Sequence, residues 1–268
     1  MSSNPWLRTP KRYVMIILIA FLCIAAVYSL NFRGILNIVI AVGFSFTADY
    51  LYSIVDKKKK KRVFPDGAII TGLIIALILS TSTSWYIVSA TALIAITSKY
   101  LLTYKMKPIF NPAAFGLLAS ILLFQTGQSW WGAFGDLPAW TTILLLIGGY
   151  ITVNRVNKFP MVFSYLGTTF LLLLVMGFLH IGDASDALRS PFINATLFFA
   201  LFMLTDPPTT PAKDKDQYIF GLICSVIGVV IYGIFGGLMY LFIGLLVGNL
   251  FYVLRRKAAP LKATSKSS

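Results

Sequence analysis

The sequence predicts an all-α integral membrane protein with about ten transmembrane segments, and three observations support this fold class. The chain is 57% hydrophobic and only 12% charged, with a mean hydropathy of +0.81, which exceeds what a soluble protein of this length needs. Its apolar residues come in long runs separated by short polar connections. Its positive charges concentrate in alternate connections, as the positive-inside rule expects of a multi-pass protein.

Ten apolar runs follow one another along the chain, and most approach the roughly 20 residues that a helix needs to cross a bilayer. The third and eighth runs are shorter, so we expect short or broken helices there. The predicted segments are 13–30, 33–55, 66–80, 85–103, 109–124, 138–153, 161–179, 192–204, 218–235 and 238–254.

The net charge of +14 is distributed as a membrane topology predicts. With the N-terminus inside, 21 of the 23 Lys and Arg residues fall in cytoplasmic segments, and only Arg33 and Arg189 fall outside them. We therefore expect a multi-pass protein of the cell membrane with cytoplasmic tails at 1–12 and 255–268. The basic block at 57–62 is interpreted as an anchor beside anionic membrane lipid, so no nucleic-acid partner is predicted.

A weak internal repeat relates the two halves of the chain at an offset of 124 residues. Residues 73–84 resemble residues 197–208, and in both copies a short apolar run ends in a Thr-containing polar break. Because each half holds an odd number of segments, five, the second half must enter the membrane in the opposite orientation. The sequence thus predicts two inverted membrane repeats, 13–124 and 138–254, joined by an extracellular loop at 125–137.

The third and eighth segments occupy equivalent places in the two predicted repeats. Paired short segments of this kind are a sequence indicator of a binding site in inverted-repeat transporters. We expect them to be half-helices that meet from opposite faces of the membrane. The Ser-Thr run at 80–84 would then share a polar cavity with Thr205 and Asp206.

The break that follows the eighth segment is the strongest candidate for a functional site. The apolar run 195–204 ends at Thr205, Asp206, Pro207 and a second proline, which is too early for a full crossing. In one interpretation the helix simply ends at the membrane surface and Asp206 caps the turn. In the other, the broken helix marks an ion, substrate or cofactor site. The repeat partner at 80–84 favours the second interpretation.

Other polar residues at segment ends have structural and functional interpretations side by side. Asp66 precedes Gly67 at the start of the third segment and is expected to cap that helix or to face a cofactor. Asn111 and Pro112 form a favourable helix start, and the small residues after them would admit a helix or a planar ligand. Asp49 is an interfacial charge beside the basic block or a functional intramembrane carboxylate.

Aromatic and sulfur-containing residues give weaker indications. Trp130, Trp131 and Trp140 are expected to form an interfacial aromatic belt, or alternatively a stacking platform for a flavin or quinone. Cys23 and Cys224 are interpreted as small packing residues.

The sequence contains no recognisable catalytic constellation. It lacks a nucleophile motif, a cysteine cluster and a glycine-rich phosphate loop, and its single histidine, His180, excludes a histidine pair for haem. We therefore predict no catalytic residue and no metal site. A role in electron transfer would need an organic cofactor or partner subunits, so the chain would be a non-autonomous subunit rather than a complete enzyme.

Three motifs in order resemble one family of membrane redox proteins. They are DGAIITG at 66–72, IFNPA at 109–113 and TDPPTTP at 205–211. Together they resemble the RnfD/NqrB family, whose members are the RnfD protein of Rnf electron-transport complexes and the NqrB protein of the Na⁺-translocating NADH:quinone oxidoreductase. The resemblance covers roughly residues 65–255.

The resemblance implies a ten-helix inverted-repeat fold, flavin cofactors, and electron transfer that some members couple to Na⁺ or H⁺ translocation. It also implies other membrane and soluble redox subunits as partners. The family attaches a flavin covalently to a threonine in a Ser-Gly-Ala-Thr motif between the halves, but residues 125–133 read QTGQSWWGA and Thr126 does not match. We therefore expect a non-covalent flavin, FMN or riboflavin. The residues expected to line its site are Asp66, Gly67, Thr71, Asn111, Pro112, Thr205, Asp206 and Pro207.

Two other classes of function compete with the redox interpretation. A transporter or channel on the same scaffold would move a small solute or cation past Asp206 without redox chemistry, and the missing attachment motif favours it. A non-catalytic scaffold for an assembly is the third interpretation.

Overall fold

The computed structural model describes residues 9–29, 32–55 and 65–258. The predicted basic block at 57–62 and most of the predicted terminal tails lie outside these residues. The helices in the described part are α1 (Pro10–Ser29), α2 (Phe32–Val55), α3 (Asp66–Ile78), α4 (Trp85–Leu101), α5 (Pro112–Phe124), α6 (Thr141–Val156), α7 (Phe159–Phe178), α8 (Ala184–Ala187), α9 (Ser190–Phe198), α10 (Asp214–Phe235) and α11 (Met239–Ala258).

Three smaller elements complete the described architecture. Strands β1 (Thr103–Tyr104) and β2 (Lys107–Pro108) pair as an antiparallel hairpin between α4 and α5. A 3₁₀ turn covers Trp131–Ala133, and α9 continues directly into a π-helical turn over Phe199–Met203. The all-α membrane fold class is therefore confirmed.

All ten predicted segments correspond to helices, and α8 is an additional short helix in a connection. Five helices, α1, α2, α7, α10 and α11, are long and apolar enough to cross a membrane. The third and eighth segments are short, as predicted: α3 has 13 residues and α9 has nine before its π-helical turn. At 1.5 Å per residue, α3 extends only about 20 Å, less than the hydrocarbon thickness of about 30 Å.

Helix α3 lies at the centre of the molecule, in contact with α1, α2, α4 and α5. Nine of its 13 residues are buried, including the whole stretch 71–78, and a helix that is apolar on all sides is expected in such a position. Gly72 allows close packing, because a Cβ atom there would lie 2.7 Å from the Cα of Val42 on α2.

The π-helical turn after α9 is also buried. The amide of Leu204 donates to the carbonyl of Phe199 at 3.0 Å, the five-residue spacing that defines this turn. Gly149 on α6 admits the turn, since a Cβ atom there would overlap the side chain of Leu201. Turns of this kind occur frequently at functional sites.

Corresponding helices in the two halves have similar neighbours. Helix α2 packs on α4 and α4 on α5, while α7 packs on α10 and α10 on α11. Contacts of α1 with α6 and of α5 with α11 join the halves. Burial also matches along α2 and α7 at the offset of 124 residues. The buried side chains are Ile38, Ala41 and Ser45 in α2 and Val162, Tyr165 and Thr169 in α7.

The turn that follows α3, residues 79–84, is called here the Ser80 turn. Its backbone bonds with the loop before α6: the amide of Ser80 donates to Gly127, and the amide of Ser129 donates to Ile78. The side-chain amide of Asn37 donates to the carbonyls of Thr81 and of Thr83. Protein groups therefore occupy the surroundings of this turn.

The predicted meeting of the 80–84 run with Thr205 and Asp206 is wrong. Residues 205–211, called here the Asp206 turn, approach the opposite end of α3, near Gly67. The two ends of α3 are separated by the length of the helix. The sequence identified the two breaks but not which end of α3 each one faces.

The tryptophans separate into two environments. Trp140 is half exposed and contacts Tyr28, in keeping with the predicted belt. Trp130 is buried and stacks on Phe242 with ring centroids 5.6 Å apart, and the indole nitrogen of Trp131 donates to the carbonyl of Ala76 at 2.7 Å. The belt interpretation is therefore wrong for Trp130 and Trp131, which pack inside the protein.

Candidate functional site

A polar cavity lies where the ends of six segments meet. These are the start of α1, the start of α3, the end of α4, the start of α5, the end of α6 and the Asp206 turn. The space open to the centres of water molecules is about 80 Å³. The lining residues are Pro10, Lys11, Val14, Gly67, Ile70, Thr71, Ile74, Lys99, Pro108, Asn111, Pro112, Ala113, Thr152, Val156, Phe202, Thr205, Asp206, Pro207 and Pro208.

The structure brings together nearly all the residues that the sequence analysis selected. Seven of them line the cavity: Gly67, Thr71, Asn111, Pro112, Thr205, Asp206 and Pro207. They come from three stretches that are far apart in sequence, so the cavity depends on tertiary packing. Asp66 stands next to Gly67, outside the lining.

The functional expectation for Asp66 changes with its contacts. Asp66 is the first residue of α3 rather than its cap, because Pro65 occupies the cap position without a side-chain hydrogen bond. Its carboxylate lies 4.0 Å from the guanidinium of Arg12, and its other oxygen is buried without a hydrogen-bond partner. The predicted N-cap role is therefore wrong.

Asn111 holds three elements together at the cavity. Its side-chain oxygen accepts from the amide of Ala114, which confirms the predicted helix cap. Its side-chain nitrogen donates to the carbonyl of Met203 at 3.1 Å, and its own amide donates to the side-chain oxygen of Asn249 at 3.0 Å. Asn249, fully buried on α11, in turn donates to the carbonyl of Thr209. Two asparagines thus attach the Asp206 turn to α5 and α11.

Asp206 organises its own turn. Its backbone carbonyl accepts from the hydroxyl of Thr210 at 2.7 Å, and its carboxylate accepts from the hydroxyl of Thr209 at 3.1 Å. Burial raises the pKa of Asp206 above its ordinary value, while Lys11 and the Thr209 hydroxyl oppose that rise. The capping interpretation and the cavity interpretation are therefore compatible, since one residue fills both positions.

Lys158 supports the far end of the same turn. Its ammonium group donates to the carbonyl of Pro211, and its side chain is buried. Burial lowers the pKa of Lys158 to about 8, an effect that Asp206 partly offsets. Gln217, also fully buried, donates to the carbonyls of Asn157 and Ala212.

Two lysines stand at the start of α3. A Cβ atom on Gly67 would lie 3.4 Å from the ammonium nitrogen of Lys11 and 3.7 Å from that of Lys99. Lys99 also pairs with Asp49, at 2.5 Å, and the hydroxyl of Tyr100 donates to the same carboxylate oxygen. Asp49 is thus a buried, paired carboxylate, so the interpretation as an interfacial charge beside the basic block is wrong.

The donor set of the cavity fits part of a flavin. Ammonium groups, hydroxyls and a side-chain amide suit the polar edge of an isoalloxazine ring, a ribityl chain or a phosphate. A volume of about 80 Å³ holds several waters but not a whole three-ring system. A bound flavin would therefore extend beyond the cavity. Among the described residues, no three His, Cys, Asp or Glu side chains are placed to hold a metal ion.

Four contributing residues were not selected from the sequence: Lys11, Lys99, Lys158 and Asn249. The three lysines were counted only as topology charges. For Lys99 and Asn249 a signal existed, since each is a polar residue within an apolar helix, a position that is unfavourable unless the group is paired. Lys158 gave no such signal, because its burial depends on how α7 packs against the Asp206 turn.

The fold and cavity define a multi-pass membrane protein in which helix ends close around a polar site. The sequence model of the NQR2, RnfD, RnfE family matches residues 1–137 and 120–255. This chain therefore belongs to the NQR2, RnfD, RnfE family, as its three motifs indicated. It is also similar to a protein of Methanosarcina acetivorans described as the D-type component of an ion-translocating oxidoreductase complex, with 26% identity over 239 residues. The alignment covers 80% of this chain and 76% of that protein.

Proposed function

We propose that this protein is the membrane subunit of an Rnf/Nqr-like electron-transport complex and binds a flavin non-covalently at the cavity. The observation that carries the proposal is the convergence of the three family motifs on one polar cavity. Nothing in the membrane topology alone requires residues 66–72, 109–113 and 205–211 to meet. A shared ligand gives their meeting a function.

The partners and the coupling follow from family membership. The relative is described as a subunit of an ion-translocating oxidoreductase complex. By extension, this chain would work with other membrane and soluble redox subunits, in the cell membrane and with both termini cytoplasmic. Electron transfer through it would be coupled to ion translocation.

The inverted repeat is the architecture that we propose for this function. The burial match along α2 and α7 and the equivalent helix neighbours support it. So does the agreement between α3, Asp66–Ile78, and residues 190–202 at the same offset, which nearly coincide with α9 and its π-helical turn. The two matched ranges of the family model divide the chain near the same point.

The residues of the cavity would have distinct tasks. A flavin accepts and releases electrons, and positive charge beside its ring favours the reduced, anionic form. Lys11 and Lys99 are placed to provide that charge. Asn111 and Asn249 would hold the cavity wall in position, and Asp206 would balance the lysines when the flavin is oxidised.

The first test is the absorption spectrum of the detergent-purified protein. The proposal expects visible flavin bands, and acid precipitation should release the flavin into the supernatant because no covalent bond holds it. Thr126→Val should leave the flavin content unchanged. A folded, colourless preparation from flavin-replete cells would refute the flavin part of the proposal.

A matched pair of variants locates the flavin. The hydroxyls of Thr71 and Thr91 each donate to the carbonyl four residues earlier, but only Thr71 lines the cavity. Thr71→Val should lower flavin retention several-fold, and Thr91→Val should not. Equal effects of the two substitutions would mean that the flavin binds elsewhere.

The alternative function is a transporter or channel for a small solute or cation. The small size of the cavity favours it, because several waters or a partly hydrated ion fit the space without rearrangement. Uptake into proteoliposomes without flavin, abolished by Asp206→Asn, would support this alternative. Absence of uptake together with visible flavin bands would exclude it.

A further inference from the structure

A group of cations on aromatic rings lies outside the cavity, where the β1–β2 hairpin meets the end of α11. The ammonium groups of Lys105 and Lys257 lie 5.5 and 5.1 Å from the centroid of the Tyr104 ring, and the guanidinium of Arg256 lies 5.9 Å from it. Arg256 is also 5.5 Å from the ring of Tyr252. These five residues are called here the Tyr104 patch.

The cations of the Tyr104 patch form no ion pair with a carboxylate in the described chain. The neighbouring Arg255 behaves differently, since it pairs with Asp216 at 3.1 Å. Three like charges around one ring repel one another, and ring contacts offset only part of that repulsion. An anion at this position would relieve it.

The hairpin holds the patch in a conformation that is unfavourable for its sequence. Lys105 and Met106 both have positive φ angles, 49° and 65°. The left-handed region favours Gly, Asn or Asp in two-residue hairpin turns, and other residues there carry a cost of roughly 1 kcal/mol or more each. Strained turns of this kind occur at binding sites.

Apolar side chains surround the patch at the membrane boundary. Leu101 at the end of α4 is 70% exposed, Met106 at the hairpin tip is 57% exposed, and Leu254, two residues before Arg256, is 52% exposed. A soluble acidic protein would not need these side chains. A lipid would contact them with its acyl chains while its headgroup met the cations.

We propose that the Tyr104 patch binds the phosphate of an anionic phospholipid. The charges and the aromatic rings would hold the headgroup, and the exposed apolar side chains would contact the chains below it. This site is separate from the cavity and does not depend on the proposed redox function.

The test is native mass spectrometry of the full-length protein in detergent. Phosphatidylglycerol and phosphatidylcholine with the same acyl chains would be added separately, and inorganic phosphate would serve as the free-anion competitor. We expect retention of phosphatidylglycerol in preference to phosphatidylcholine, without displacement by phosphate. Equal retention of the two lipids, or displacement by phosphate, would contradict the proposal.

Matched variants separate a site from general attraction to charge. Arg256→Gln/Lys257→Gln should weaken phosphatidylglycerol retention about 25-fold, at about fivefold for each cation. Lys213→Gln/Lys215→Gln removes two exposed lysines at the start of α10 and should have a much smaller effect. Equal losses in the two double variants would contradict the proposal.

A charge-neutral substitution tests the ring itself. Tyr104→Leu should weaken retention about threefold through lost cation–ring contacts, whereas Tyr86→Leu, another exposed tyrosine, should not change it. An unchanged Tyr104→Leu would remove the ring from the site. If there were no lipid preference at all, and the double variant instead lost partner subunits, the patch would be a protein interface and the lipid proposal would be wrong.

Discussion

The Ser80 turn and the Asp206 turn each end a short apolar helix, yet their surroundings differ. The Ser80 turn is filled in by protein: the loop before α6 bonds to its backbone, and Trp130 and Trp131 pack beside α3. The Asp206 turn is instead held from behind by buried Asn249 and Lys158, and its front faces a cavity.

The difference shows how one kind of sequence break can serve two purposes. At the Ser80 turn, aromatic side chains replace any ligand and make the turn part of the core. At the Asp206 turn, polar side chains satisfy the backbone from one side only, which leaves the other side available. The sequence similarity of the two breaks therefore does not imply two sites.

The largest effect is expected from emptying the filled region. Trp130→Ala removes a buried ring that stacks on Phe242, so it should lower the free energy of unfolding by about 3–5 kcal/mol. Trp140→Ala, at a half-exposed position, is the matched control and should change it little. Thermal denaturation in detergent would measure both. Similar losses for the two variants would show that the surroundings of the Ser80 turn are not tightly packed.

The next effect concerns the asparagines that support each turn. Asn111→Ala removes a helix cap and the hydrogen bond to Met203, for a loss of about 3 kcal/mol. Asn37→Ala removes two bonds to the Ser80 turn, which are only partly buried, and should cost about 1–2 kcal/mol.

The two asparagine variants should also differ in ligand content. Asn111→Ala should reduce bound flavin, while Asn37→Ala should retain it, as measured by flavin absorbance per mole of purified protein. Retention of flavin in a folded Asn111→Ala variant would separate the cavity from the ligand.

These two predictions mark what could be obtained from the sequence. The positions of the helices, the cap at Asn111 and the proline after it follow local rules that need no tertiary information. The convergence of Gly67, Asn111 and Asp206 was expected only through the family resemblance.

The rest depended on packing. Which end of α3 faces Asp206 could not be predicted, because a helix that is apolar on all sides gives no orientation. The burial of Lys158 and the pairing of Asp49 with Lys99 require knowledge of neighbouring helices.

A third difference between the turns is a buried cation, Lys158, at the Asp206 turn. Its pKa in the folded protein is about 8, below the ordinary 10.5. The unfolded chain therefore binds more protons between those values, and this residue makes the folded state more stable as pH rises from 8 to 10.5, by roughly 2–3 kcal/mol.

Lys158→Met should remove this contribution. Thermal midpoints measured at several pH values from 7.5 to roughly 10.5 would show a smaller alkaline rise in the variant than in the unmodified protein. Lys213→Met, at an exposed lysine, is the control. Identical pH profiles for the unmodified and Lys158→Met proteins would contradict the assigned burial effect.

The smallest expected effect concerns the packing of α3. Gly72→Ala brings a Cβ atom within 2.7 Å of the backbone of α2, a penalty that the better helix propensity of Ala partly offsets, leaving a loss of about 1 kcal/mol. Gly43→Ala on α2 meets open space and should be neutral or slightly stabilising. Chemical denaturation of the two variants would measure the difference. If Gly72→Ala were equally harmless, α3 could shift relative to α2.

The bond between Asn249 and Asn111 has a consequence for the order in which the protein is made. These residues are 138 positions apart, and α11 is the last helix of the described chain. The ribosome synthesises the cavity-lining residues first and the residue that fastens them last. The site can therefore take its final form only after α11 has entered the membrane, so a prematurely terminated chain would have every lining residue and still lack a closed site.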